Sequence, residues 1–134
     1  MTAARMTKDH FAQTLGAMNP VGHVVLAFAD DRVAAEARSA LLDAGFGDDD
    51  VFGYSSAELE PRLDEMLRAA SGAAGFGYES TLMRRYLSLA QENVGWLVAY
   101  APEDDGAERV AEVARRLKAN CAVRYHRLAS EDLV

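Results

Sequence analysis

The chain has 134 residues, half of them apolar and about a quarter charged, which is the length and composition of one globular domain with its own core. The formal net charge is −7, from 14 basic and 21 acidic side chains, and this excess repels polyanions, so we expect no nucleic acid and no anionic membrane as a partner. No apolar stretch approaches the length of a membrane span and the N-terminus lacks a secretory signal, so we expect a cytoplasmic protein.

The first predicted elements are a short helix, a buried strand and a second helix. Thr7 is suited to cap the first helix, and Pro20 would end it. Residues 23–29 read HVVLAFA, a continuous apolar run that predicts a strand buried on both faces. Asp30 can cap the next helix, which carries an apolar stripe at helical spacing and stops at Gly45.

A short strand and a pair of helices are predicted next. Residues 51–54 indicate the strand, and Ser55 with Glu58 matches a capping box. Because proline is tolerated in the first turn of a helix and costly later, Pro61 predicts that the first helix of the pair truly begins near it. The second helix follows the glycine-rich segment 71–78 and ends near residue 93.

The C-terminal third predicts a strand, a helix, a strand and a tail. Residues 96–100 are apolar on both faces, and residues 107–117 keep helical spacing after an acidic turn. The last strand is predicted over residues 121–128, with apolar and polar side chains alternating. We expect the tail, residues 129–134, to run along the surface.

This order of elements predicts an α+β fold of the ferredoxin-like split βαβ type (β-α-β…β-α-β) with a helical pair inserted between its halves. The single domain, residues 1–134, then consists of an N-terminal helix or arm (1–20), a first βαβ half (21–55), the inserted pair (56–94) and a second βαβ half (95–134). An open doubly wound α/β sheet is the alternative. This alternative is disfavoured for two reasons. The sequence pattern for the second strand is weak, and a pair of helices is predicted where a doubly wound fold would have one crossover helix.

Covering the second face of this sheet is a physical problem. Crossover helices cover one face, yet the strands at 23–29 and 96–100 are apolar on both faces, and a large apolar patch is rarely left in water. The inserted helices, the N-terminal helix or a second copy of the chain could cover it. We expect a homodimer in which these elements share that task.

The glycine-rich segment has two readings. Gly72, Gly75 and Gly77 stand in the reverse order of the dinucleotide-binding fingerprint, and no Gly-Lys-Ser/Thr completes a phosphate loop. A helix N-terminus followed by Arg84 and Arg85 could still hold an anion. A tight reversal between two packed helices is favoured, because glycine permits such a turn.

Catalytic or metal-binding patterns are not evident. The three histidines, His10, His23 and His126, lack partners at metal-ligand spacing, and His23 is typical of a satisfied core or edge residue. The one cysteine, Cys121, excludes an internal disulfide and is predicted to be a buried structural thiol. The acidic runs at 48–50 and 103–105 are best explained as helix caps and solvated turns. We predict no catalytic residues, no metal and no cofactor.

A ligand site is nevertheless conceivable between the inserted helices and the sheet. Basic and aromatic side chains that the fold could bring together there would suit a small anion or a nucleotide. The candidate residues are Tyr78, Arg84, Arg85, Tyr100, Arg124 and His126.

Two stretches resemble a known family. Residues 23–56, HVVLAFADDRVAAEARSALLDAGFGDDDVFGYSS, and residues 95–133, GWLVAYAPEDDGAERVAEVARRLKANCAVRYHRLASEDL, resemble the opening and closing parts of the general stress protein family. The segment from Gly72 to Tyr86 matches its glycine-rich middle in character. The resemblance implies a small α+β domain with a stress-linked role and transfers no catalytic signature. The helical pair over residues 58–93 departs from the family and argues against membrane association.

These observations lead to three functional hypotheses. The first is a non-enzymatic, stress-related or regulatory domain that acts through homodimerisation or protein interaction. The second is a domain that binds a small ligand, an anion or a nucleotide. The third is a dimeric ferredoxin-like oxidoreductase, which would require His23 or His126 to point into a cavity.

Overall fold

A computed structural model describes residues 5–14, 20–71, 78–127 and 129–134. The helices are α1 (Lys8–Thr14), α2 (Asp31–Asp43), α3 (Ser56–Ser71), α4 (Tyr78–Gln91) and α5 (Asp104–Arg116). The strands are β1 (His23–Phe28), β2 (Val51–Ser55), β3 (Gly95–Tyr100), β4 (Cys121–Tyr125) and β5 (Ser130–Asp132). The predicted hinge lies almost wholly within residues 72–77, outside the described residues.

The five strands form one sheet in the order β2-β3-β1-β4-β5, and all neighbours in it are antiparallel. It follows that β1 runs parallel to β2 and β3 runs parallel to β4, each pair being separated by one antiparallel strand. Helix α2 joins the first pair and α5 joins the second. The chain is therefore an α+β domain, and the doubly wound parallel alternative is wrong.

Both faces of the sheet are packed by helices of the same chain. The crossover face, defined by Val24, Leu26 and Phe28 of β1, is covered by α2 and α5. The insertion face, defined by Val25 and Ala27 of the same strand, is covered by α1, α3 and α4. We expected a homodimer to help cover the second face of the sheet. In the described part of the chain, its own helices cover that face.

Helix α3 begins earlier than Pro61 predicted. The Ser55 N–H donates to Glu58 Oε1 at 2.8 Å and the Glu58 N–H donates to Ser55 Oγ at 3.3 Å, so the predicted capping box forms. This box starts the helix at Ser56 and leaves Pro61 inside it. The helix therefore lacks the backbone hydrogen bond that residue 61 would donate, and the capped first turn and the buried face of α3 outweigh that loss.

The C-terminal tail is also different from the expectation. Residues 130–132 do not simply follow the surface but pair with β4 as a short edge strand, and the predicted last strand ends at Tyr125. Only Leu128 of this region lies outside the described residues. Within the described ranges, no helix is long and apolar enough to span a membrane.

Candidate functional site

The residues of the predicted ligand site do not share one surface. Arg85 lies on α4, above the insertion face, and its Nη1 is 3.4 Å from Asp132 Oδ1. Arg124 alternates with Val123 and Tyr125 of that face, so it projects to the crossover side, where Nη1 is 3.0 Å from Asp104 Oδ1. The sheet separates these two guanidinium groups.

The other predicted ligand residues are also dispersed. His126 Nε2 lies 3.0 Å from Glu131 Oε1, beyond the end of β4. Tyr100 packs against His23 with ring centroids 5.1 Å apart, and Arg84 is exposed on α4. Tyr78 is the first residue of α4, and its side chain lies outside the described residues. Anion binding by these residues stays a prediction.

The space between the inserted helices and the sheet is a packed core. A cavity of about 20 Å³ remains there, lined in part by Phe11, Met83 and Tyr86, which is close to the smallest volume that holds one water molecule. Beside it the buried hydroxyl groups of Tyr86 and Tyr125 are 2.6 Å apart. Burial and the neighbouring Tyr125 raise the pKa of Tyr86 well above its usual value, so this phenol stays protonated at neutral pH.

Cys121 is buried at the start of β4, as predicted. Burial raises the pKa of its thiol to about 11, which keeps it in the unreactive protonated form near neutral pH. Among the described residues there is no cluster of three or more His, Cys, Asp or Glu side chains that could hold a metal ion.

A cleft of about 640 Å³ lies along the outer edge of β2. The backbone of β2 forms its floor. Helix α2 contributes one wall through Ala34, Ala35 and Arg38, and the N-terminal segment, residues 5–8, contributes the opposite wall. A groove between an edge strand and a helix is a geometry in which extended chains bind by adding a strand.

The outward backbone groups of β2 are capped at both ends of the strand and open in the middle. Arg38 Nε donates to the Val51 carbonyl at 3.0 Å, and Glu58 Oε1 accepts from the Ser55 N–H. Because outward-facing residues alternate along a strand, Gly53 faces the same way as Val51 and Ser55. This alternation directs the N–H and C=O of Gly53 away from β3 and into the cleft, which Gly53 lines.

The N-terminal wall of the cleft is attached to His23. The ring is buried, Nδ1 donates to the Val21 carbonyl at 3.0 Å, and Nε2 accepts from the Met6 N–H at 3.1 Å. This pair of bonds requires the neutral Nδ1–H tautomer, and burial lowers the pKa of His23 accordingly. The Tyr54 hydroxyl also donates to the Lys8 carbonyl, which fastens the start of α1 to β2.

His23 is thus a satisfied core residue, as its position in the sequence predicted. Neither ring nitrogen is open to a substrate, which does not favour the oxidoreductase hypothesis. The cleft itself was not predicted, because Arg38, Gly53 and Glu58 come together only through the sheet order. One signal for it was present: a glycine in the centre of a short strand often marks a close backbone approach.

Comparisons with protein-family models, with curated proteins and with solved structures found no match to this chain. The general stress protein resemblance therefore stays a prediction. The fold and cleft define the class of protein: an α+β domain whose antiparallel sheet is covered on both faces and open along the β2 edge.

Proposed function

We propose that this chain is a non-enzymatic interaction domain of the ferredoxin-like type that works as a homodimer joined through β2. The strand order β2-β3-β1-β4 with α2 and α5 on one face supports the ferredoxin-like assignment. The observation that carries the dimer is the geometry of the β2 edge: Arg38 and Glu58 cap its two ends, and the N–H and C=O of Gly53 between them face outward.

An antiparallel edge centred on one residue is complementary to itself. When two copies of a strand meet across a two-fold axis, the central residue can donate its N–H to the partner's C=O and accept in return. Gly53 directs both groups outward for this exchange, and it has no side chain that could project into the interface. The result would be one continuous ten-stranded sheet.

The position of α2 leaves room for this arrangement. The helix packs mainly over β2 and β3 and less over β1. With strands about 4.8 Å apart, two such helices related by the two-fold axis would lie about 10 Å apart, which is a normal distance for packed helices. The small side chains of Ala34 and Ala35 in the cleft suit this approach.

Light scattering coupled to size-exclusion chromatography tests the proposal. We expect a dimer at about 100 µM, and a monomer at that concentration would overturn the proposal. Gly53→Pro removes the outward N–H at an edge position where proline is tolerated, and it should weaken the dimer at least about tenfold. Gly53→Ala is the matched control, because it adds the same Cβ beside Leu97 and Trp96 but keeps the N–H.

A readout without substitution complements these variants. Hydrogen exchange of the Gly53 amide should slow as protein concentration rises, whereas the Ser55 amide, already bonded in the free chain, should change less. Equal exchange of Gly53 at low and high concentration would contradict pairing through this edge even if a dimer forms elsewhere.

The stress-related role in this proposal rests on the sequence resemblance alone. Binding of a small anionic ligand is the alternative function. The residues predicted for it do not lie on one common surface. The homodimer is favoured because one contiguous feature, the β2 edge, supports it.

A further inference from the structure

We infer that Asp31 and Arg38 of α2 determine the specificity of the β2 edge for a second copy of this chain, because each of them meets the other one of the partner across the dimer. This inference rests on the homodimer proposed above. Both residues line the cleft, together with Ala34 and Ala35. These four positions recur at helical spacing, so they form one face of α2 with an acidic end, a small centre and a basic end.

The charged ends of this helix face lie level with the two ends of β2. A Cβ on Gly95 would lie 2.8 Å from the Asp31 Cα, and Gly95 pairs with Ser55 in the sheet. At the other end, Arg38 Nε donates to the Val51 carbonyl at 3.0 Å. The helix rises about 10 Å from Asp31 to Arg38, and β2 extends about 13 Å from Val51 to Ser55, so the two spans nearly match.

Pairing of two copies brings the opposite ends together on the same face of the sheet. The two-fold axis of an antiparallel strand pair is perpendicular to the sheet, so both copies of α2 lie side by side on the crossover face. In a register centred on Gly53, Val51 lies opposite the partner's Ser55. Arg38 therefore comes level with the partner's Asp31, and their side chains can bridge two helix axes about 10 Å apart. The contact occurs twice in the symmetric dimer.

The free chain holds the guanidinium where this exchange can take place. Arg38 Nε bonds the Val51 carbonyl and Nη2 donates to the Asp48 carbonyl at 3.0 Å. Any strand that adds to β2 takes the Val51 carbonyl away from Arg38. A second copy replaces that bond with a carboxylate, whereas an unrelated strand brings no α2 and leaves the guanidinium uncompensated. Arg38 thus protects the edge against foreign strands and favours the self-pair.

Charge reversal combined with mixing tests the inference. Asp31→Arg places an arginine against the partner's Arg38 twice, and Arg38→Asp places two aspartates together twice. Each variant alone should raise the dimer dissociation constant at least about tenfold. Arg38→Asp also uncaps the Val51 carbonyl, which by itself favours pairing, so weaker dimerisation of this variant reports the charges.

An equimolar mixture of the two variants has opposite charges at both contacts again. It should form a heterodimer with a dissociation constant within about threefold of the parent homodimer. Analytical ultracentrifugation measures the constants, and native mass spectrometry distinguishes the heterodimer from either homodimer by mass.

Arg32 and Glu36 provide the matched controls. They lie on the same helix, form an ion pair with each other and do not line the cleft. Glu36→Arg and Arg32→Asp change the net charge by the same amounts as the two test variants. Each should dimerise within about threefold of the parent, and their mixture should show no preference for the heterodimer.

The outcomes separate this inference from the proposal beneath it. If Gly53→Pro disrupts the parent dimer, but the reversed variants dimerise as their controls do or their mixture gives no preferred heterodimer, the inference is wrong and the homodimer stands. If the parent chain is a monomer at about 100 µM, the homodimer fails and the inference fails with it. Thermal melting identifies a variant that loses its fold. Asp31→Asn or Arg38→Gln then replaces it and should weaken the dimer about threefold, and an unchanged constant would contradict the inference.

Discussion

The two faces of the sheet are packed by different means. On the crossover face, α2 and α5 bury only apolar side chains, many of them alanine, against β1 and β3. On the insertion face, α1, α3 and α4 bury aromatic rings together with polar groups. Of the described residues, His23 and Ser56 are buried on this side.

The two faces also differ in their hydrogen bonds to the sheet. On the insertion face, side-chain bonds join the helices and the N-terminal segment to the strands: His23 to Met6, Tyr54 to Lys8, and Trp96 to Ser56. Hydrogen bonds depend on geometry in a way that apolar contact does not, which makes them suited to selecting one arrangement.

The largest expected effect comes from a substitution that disrupts the close packing on the crossover face. A Cβ on Gly95, the first residue of β3, would lie 2.4 Å from the Asp30 carbonyl oxygen and 2.8 Å from the Asp31 Cα. These are backbone atoms at the start of α2 and cannot move aside cheaply. We therefore expect Gly95→Ala to lower the free energy of unfolding by about 3 kcal/mol or more, measured by urea denaturation.

Gly106→Ala is the matched control on the same face. Its Cβ would meet Ala101 Cβ at 3.5 Å, an ordinary contact, and the position is inside α5. Alanine is the better helix former, so this variant should be neutral or more stable by up to about 1 kcal/mol. If the two variants lose similar stability, the close approach at Gly95 does not limit packing on this face.

The next largest effect is expected from removing the buried hydrogen bonds of Ser56 on the insertion face. Ser56 Oγ accepts from Trp96 Nε1 at 3.0 Å and donates to the Val94 carbonyl at 2.6 Å, so one hydroxyl connects α3 to β3. Ser56→Ala removes the hydrogen bonds to both the Trp96 indole and the Val94 carbonyl in a buried site. We expect a loss of about 1–3 kcal/mol in urea denaturation, with a change in tryptophan fluorescence.

Ser88→Ala provides the comparison for that variant. Ser88 is exposed on α4, so the same loss of a hydroxyl should change stability by less than about 0.5 kcal/mol. Equal effects of the two serine variants would mean that the buried hydrogen bonds contribute little to placing α3.

The main strands and helices could be predicted from the sequence because their apolar side chains recur at regular spacing. The apolar run of β1 and the helical stripe ending at Gly45 follow directly from side-chain periodicity, and strands apolar on both faces required cover on both. The strand β5 has no such signal. Ser130, Glu131 and Asp132 pair through backbone groups while their side chains stay largely in water, so no hydrophobic alternation marks them.

The candidate site was beyond sequence reasoning for a related reason. Arg38 and Val51 are 13 residues apart, and their contact exists only because α2 packs beside an edge strand. The predicted ligand set combined residues from both faces. Val123 and Tyr125 face α4, so the alternation along β4 places Arg124 on the opposite face from Arg84 and Arg85 of α4. The sequence pattern shows this alternation, but it does not show which face α4 covers.

The smallest expected effect is a pH-dependent loss of stability on the insertion face, caused by His23. His23 is the only buried histidine among the described residues, its ring contacts the Tyr100 phenol, and its Nε2 holds the Met6 N–H only when unprotonated. Burial lowers its pKa below the ordinary value of 6.5. Between the two pKa values the unfolded chain binds more protons, so the His23 contribution to stability is complete above about pH 6.5 and is lost as pH falls through the folded-state pKa.

Comparison of variants isolates this contribution from the carboxylates that also titrate at acid pH. The parent and His126→Gln should lose stability more steeply than His23→Phe between about pH 7.5 and pH 5, in matched urea titrations. Exchange of the Met6 amide should accelerate over the same range in the parent, whereas amides on the crossover face should not respond. Because the His23–Met6 bond lies on the insertion face, acid should loosen α1 first. A parallel loss on both faces would show that the two cores unfold as one unit.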